Sequence, residues 1–143
     1  MSLHRINRAA EVLPVALLRQ IVRYDPEKGT FVWLLRPADH FPGGARSPQG
    51  RALLWNAKYA GKPAFTSADP RGYFRGEVAG VMIYAHRAAI ALMNGEWPAG
   101  EVDHINRSKS DNRISNLRVV THSENRRNTR DFEAAEAKRR EAA

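Results

Sequence analysis

The side chains best equipped for chemistry stand in the last third of the chain. Asp103 and His104 are adjacent, eleven residues separate His104 from Asn116, and seven separate Leu117 from Asn125. A carboxylate and an amide oxygen are hard donors. Asp103 and Asn125 together leave several coordination positions open, which suits Mg²⁺, an ion that keeps waters and completes its shell from substrate phosphate. Asp103 and His104 project to opposite faces if they lie in a strand, so that one holds a metal while the other faces a substrate atom beyond it.

The surrounding residues predict the scaffold such a set requires. Val102–Ile105 reads as a short strand, residues 106–115 as a polar, turn-rich loop, and Asn116–Val120 as a second strand. Thr121 and Glu124 form a T-x-x-E capping box, which opens a helix through HSENRRNTR and on into the alanine-rich, charged end. The expected unit is a β-hairpin with a helix laid against it, bringing Asn125 opposite the Asp103 carboxylate.

Upstream, Leu17, Leu18, Ile21 and Val22 recur at helical spacing after Pro14, YDPEKG is a turn, and TFVWLL is a strand. Residues 36–51 hold three prolines and three glycines and read as a mobile loop. Short strands follow near Leu53–Trp55, Lys62–Thr66, Tyr73–Val78 and Val81–Tyr84, the last two joined by a tight turn at Ala79-Gly80. Ala85–Asn94 reads as a helix closed by Gly95. The expected class is α+β: a helix and small antiparallel sheet region over 1–81, then a C-terminal ββα module over 82–143.

Composition narrows the partners. The 143 residues carry a formal net charge of +8, with arginine dominating the basic set, which suits forked contacts to phosphate. There is no cysteine, so disulfides, cysteine-ligated zinc and thiol chemistry fall away together. No apolar run approaches the ~18 residues of a membrane span, and the first twelve residues lack the apolar core of a secretory signal. The expectation is a soluble, cytoplasmic protein without a membrane partner.

With these residues in place, HRAAIALMNGEWPAGEVDHINRSKSDNRISNLRVVTHSENRRN resembles the HNH endonuclease family, particularly its phage-type and intron-type nicking members, over about residues 82–130. The pattern DH-x11-NL-x7-N carries the likeness. The resemblance implies a metal-dependent endonuclease that hydrolyses phosphodiester bonds of double-stranded DNA, nicking or cutting both strands, with two chains pairing for the latter as an open option. It implies His104 as the general base, Asp103 and Asn125 as ligands of one divalent cation (Mg²⁺ first, Mn²⁺ second), and Asn116 as the residue that fastens the loop and orients His104. Arg113, Arg118, Arg126, Arg127 and Arg130 are candidates for phosphate contacts, and Asn128 for supporting the metal shell or facing the backbone. The last position of the pattern is Asn125 rather than histidine, and His122, one helical turn earlier, is the alternative imidazole.

Plainer roles compete for the same residues. Asn106, Ser108, Ser110, Asp111 and Asn112 are ordinary turn formers. His86 reads as packed and hydrogen-bonded, His4 and His40 as surface histidines, and Trp33, Trp55 and Trp97 as core anchors. A rival of another class is a non-catalytic DNA-binding regulator on the same scaffold, with its sheet entering a groove. Phosphate contacts do not distinguish the sugars, so an RNA partner is a third reading, behind those two.

Overall fold

The computed structural model describes residues 13–142, so His4 lies outside the described residues. Helix α1 (Val15–Ile21) buries Val15, Leu18 and Ile21 at three-residue spacing and passes directly into strand β1 (Val22–Asp25). Strand β1 pairs antiparallel with β2 (Thr30–Trp33) through the predicted turn. In that turn the Asp25 carboxylate accepts from the backbone N–H groups of Glu27 and Lys28, at 3.0 and 3.1 Å. Gly29 ends it at φ +71°, and a Cβ there would lie 2.4 Å from the Arg113 nitrogen and 2.5 Å from the Asn112 carbonyl carbon. The β1–β2 turn is therefore seated against the loop that the sequence places next to His104.

Two expectations change in the next segment. Residues 36–51 are not a single mobile loop, and Leu53–Trp55 is not a strand: a 3-10 turn covers Ala38–His40, and helix α2 runs over Pro48–Tyr59. Ser47 accepts from the Gly50 N–H at 3.1 Å and Pro48 sits at the first helical position, so Ser-Pro acts as a start signal where the proline count suggested a loop. Ala52, Trp55 and Tyr59 supply the inward face at helical spacing, while Leu53 and Leu54 point to solvent at 72% and 50% exposure. The contiguous Leu-Leu-Trp thus imitates a strand. His40 is not a lone surface histidine, because its ring bridges the Gln20 amide oxygen (2.8 Å) and Arg36 Nε (3.3 Å).

Strand β3 (Pro63–Ala64) completes the first sheet against β2, and β4 (Ser67–Ala68), β5 (Phe74–Val78) and β6 (Val81–Tyr84) form a second. Ala79 and Gly80 turn at φ +49° and +79°, as a two-residue hairpin requires. Helix α3 (Ala85–Asn94) follows at once and ends on Gly95 at φ +82°. Its Arg87 is buried, and the guanidinium donates to the carbonyls of Gly100 (2.8 Å) and Pro98 (3.0 Å), fixing the approach to the next strand.

Strands β7 (Glu101–His104) and β8 (Leu117–Val120) make the C-terminal hairpin, with a 3-10 turn at Ile114–Asn116 before β8. Helix α4 (His122–Ala142) opens on the predicted capping box: Glu124 N–H donates to Thr121 Oγ1 and Thr121 N–H to Glu124 Oε2, both at 3.1 Å. One apolar cluster, including Leu18, Phe31, Ile83, Ala88, Val102 and Leu117, runs from the first sheet to the hairpin. Trp33 lies within it, Trp55 packs edge-on to Trp33, and Trp97 ties the start of the described chain by donating to the Leu13 carbonyl. Among the described residues no helix is long and apolar enough to cross a membrane.

Asp69, buried between β4 and β5, organises the loop that carries Tyr73 to the hairpin. It accepts from the N–H groups of Arg71 (2.8 Å) and Tyr73 (3.0 Å) and from the Tyr84 hydroxyl (2.9 Å). Burial pushes its pKa up, but these bonds and the Arg71 side chain outweigh burial and hold it at about 2. A folded pKa below the unfolded one stabilises above about pH 4 and is lost as pH falls toward 2. Asp69→Asn is expected to flatten the thermal midpoint between pH 4 and 2 relative to the parent, as followed by circular dichroism; parallel curves would rule out this role.

Candidate active site

The hairpin register separates the two central side chains. Asp103 stands opposite Arg118 and His104 opposite Leu117, so Asp103 shares a face with Glu101, toward α4, while His104 shares the inward face with Val102. Asp103 is 6% exposed. Its Oδ2 accepts from Arg118 Nε and Nη2 at 2.9 and 2.8 Å, and its Oδ1 lies 3.5 Å from Arg107 Nη1. Arg107 also donates to the Asn128 carbonyl (3.2 Å) and stacks on Phe132 (4.8 Å), tying the hairpin to α4.

Asn125 reaches this face of the hairpin, but its hydrogen bond is to Glu101, not Asp103: Nδ2 donates to Glu101 Oε2 at 2.7 Å. The other Glu101 oxygen lies 2.6 Å from His122 Nδ1. Burial raises the Glu101 pKa, yet the bonds from Asn125 and His122 prevail and lower it. With Nδ2 committed to Glu101, Oδ1 is the end of Asn125 left to meet a ligand. His122 is half-exposed at the start of α4, where it holds Glu101. Glu101 gave no signal in the sequence, because an acidic residue two places before Asp103 is ordinary on a solvated strand face.

His104 is 4% exposed. Its Nε2 lies 2.9 Å from Asn112 Oδ1, and its ring rests 5.2 Å from His86 and 5.9 Å from Tyr73. An oxygen acceptor at Nε2 keeps the proton there and leaves Nδ1 with the lone pair. His86 is packed as expected, but its Nδ1 has no hydrogen-bond partner among the described residues. Burial first, then the neighbouring His104 and Arg87, lowers the His86 pKa to about 3, so its ring is neutral at physiological pH.

Asn116 fastens the loop. Its Oδ1 accepts from Asn106 N–H and its Nδ2 donates to the Asp111 carbonyl, both at 2.9 Å. The amide that meets His104 belongs to Asn112, which the sequence does not separate from its turn-forming neighbours; its 3% exposure does.

The candidate phosphate contacts divide. Arg113 is forked onto Asp111 at 2.7 and 2.8 Å, and Arg118 is held by Asp103. Arg126, Arg127 and Arg130 are exposed on α4 and make no ion pair with the described residues. No three His, Asp or Glu side chains among the described residues are gathered to cage a metal. The Asp103 carboxylate, whose oxygens Arg107 and Arg118 hold, and Asn125 Oδ1 are hard donors of the kind Mg²⁺ takes, an ion that needs few protein ligands.

Residues 83–127 match the HNH endonuclease family model. Among solved structures the chain is similar to the HNH homing endonuclease I-HmuI, whose structure concerns DNA binding and cleavage. The TM-score is 0.54 at 18% sequence identity, covering 89% of this chain and 63% of that one. At that identity the likeness is one of fold, and the chain spans 63% of the length of that protein. No curated protein matches the chain.

Proposed function

We propose that this chain, whose residues 83–127 match the HNH endonuclease family model, is a metal-dependent endonuclease that hydrolyses phosphodiester bonds of double-stranded DNA. The observation that carries this reading is the coincidence of the family segment with one hairpin. That hairpin presents a carboxylate on one face and, one residue on, an imidazole tied through Nε2 to an amide oxygen. His104 takes a proton from the attacking water at Nδ1. As the new bond from water oxygen to phosphorus forms, the bond from phosphorus to the leaving 3′ oxygen breaks, and that oxygen takes a proton from solvent water to leave a 3′ hydroxyl and a 5′ phosphate. Asp103 and Asn125 would hold one divalent cation, Mg²⁺ or Mn²⁺, which when bound would neutralise charge on the phosphate oxygens. Glu101 fixes which end of Asn125 is available, and Asn112 fixes which nitrogen of His104 is basic. Residues 82–143 form the cleaving part and 1–81 the part that positions the duplex, a division of task across one apolar core.

The test is conversion of supercoiled plasmid to nicked or linear form by purified protein with Mg²⁺. Chelator is expected to stop the reaction, and cleavage undiminished by chelator overturns the metal-dependent mechanism.

The two guanidinium groups on Asp103 favour a second reading, in which the carboxylate is purely structural and the protein binds DNA without cutting it. A metal-independent gel shift with no cleavage of any substrate would establish that reading. On the nuclease reading Arg118 competes with the cation for Asp103. Arg118→Gln is then expected to bind Mn²⁺ more tightly, by up to about fivefold, the equivalent of about 1 kcal/mol for a part-exposed pair. Paramagnetic resonance titration of free Mn²⁺ measures this, and unchanged or weaker binding excludes competition.

A further inference from the structure

The loop after β4 and the β7–β8 loop bring two cations together on the ring of Tyr73, beside His104. Arg71 and Lys109 both ride against the ring of Tyr73, at 5.1 and 5.0 Å from its centroid, and that ring lies 5.9 Å from His104. They come from opposite parts of the chain, Arg71 from the second sheet and Lys109 from the β7–β8 loop. Their meeting is built: Lys109 Nζ donates to the Arg71 carbonyl at 2.8 Å, and the Lys109 stem passes over Gly72.

Charge at this junction is unbalanced. Arg71 is 57% exposed and shares Asp69, a carboxylate already saturated by the loop backbone and the Tyr84 hydroxyl. Lys109 is exposed and has no carboxylate partner among the described residues. Two cations held against one ring repel each other, and a polyanion laid across them removes that cost. Tyr73 contributes a half-buried wall between this pair and the imidazole, with burial pushing its phenol pKa up so that it stays neutral.

We propose that Arg71 and Lys109 form a clamp for a backbone phosphate of the strand being cut, close to the scissile one, so that the second sheet supplies part of the active site. This rests on the nuclease reading and, through Arg71, adds to it a contact from outside the hairpin and α4. A phosphate contact weakens binding uniformly across sequences and contributes about one unit to the slope of log affinity against log salt.

The experiment measures binding of a fluorescein-labelled random-sequence duplex in chelator, by anisotropy over a range of salt concentrations. Lys109→Gln, which leaves the Asp69 network intact, is expected to lower the slope by about one, and the double variant Arg71→Gln/Lys109→Gln by about two. Lys109→Arg is expected to restore it, a rescue that a packing role for the lysine would not give. Parent protein that binds and cuts, together with Gln variants of undiminished slope and unchanged melting, overturns the clamp alone. Parent protein that neither binds nor cuts DNA overturns the clamp together with the nuclease reading.

Discussion

His104→Ala is expected to lower strand cleavage by about 10²–10⁴-fold, the range a positioned general base contributes, while DNA binding in chelator stays within about twofold. The two readouts separate because His104 faces inward, 4% exposed behind Tyr73 and His86, and none of its contacts is a phosphate-binding cation. Removing a buried ring also leaves a cavity beside His86, so a fall in stability of about 1–3 kcal/mol accompanies the change. Cleavage is therefore measured well below the melting transition, and added imidazole is expected to restore part of the rate by filling the same space. A His104→Ala protein that nicks plasmid at the parent rate refutes the assignment of the base.

The hairpin and its capped helix were legible because their signals are local. Thr121 and Glu124 stand at capping-box spacing, and alternation alone separates the faces of Asp103 and His104. Helix α3 with Gly95, and the Ala79-Gly80 turn, were legible for the same reason. Helix α2 was not, because its Ser-Pro start stands among residues whose proline and glycine content signals a loop. The site was legible as a set of residue types but not as a set of contacts. Asn125 shares the Asp103 side of the hairpin through Glu101, and Arg107 and Arg118 take the Asp103 oxygens. Each is a tertiary choice between equally spaced polar partners. Tyr24, Gly29, Arg71 and Tyr73 lie twenty-eight or more residues from the hairpin, and no periodicity in the sequence relates them to it.

Asn112→Ala is expected to lower cleavage by about 10–100-fold, the usual cost of removing a group that orients a reacting side chain from behind. Mn²⁺ binding and DNA affinity should be unchanged, because Asn112 touches neither Asp103 nor Asn125. The Tyr24 hydroxyl donates to the Asn112 carbonyl, the Ile114 N–H donates to the Pro26 carbonyl at 3.0 Å, and Gly29 packs where no Cβ fits. The β1–β2 turn thus pins the loop, and the loop sets Oδ1 of Asn112 2.9 Å from His104 Nε2. Without that acceptor the neutral ring populates both tautomers, and in one of them Nδ1 carries the proton and cannot receive another. Ring nitrogen resonances of His104 at high pH report the tautomer directly. A single Nε2–H form is expected in the parent and a mixture in Asn112→Ala, whereas Asn112→Asp, which keeps an oxygen acceptor, is expected to retain the parent tautomer. Gly29→Ala should move activity the same way, since a Cβ 2.4 Å from the Arg113 nitrogen displaces the segment that carries Asn112. Asn112→Ala cutting at the parent rate with the parent tautomer would show that the buried amide is packing, and that the orientation of His104 comes from the Tyr73 and His86 rings alone.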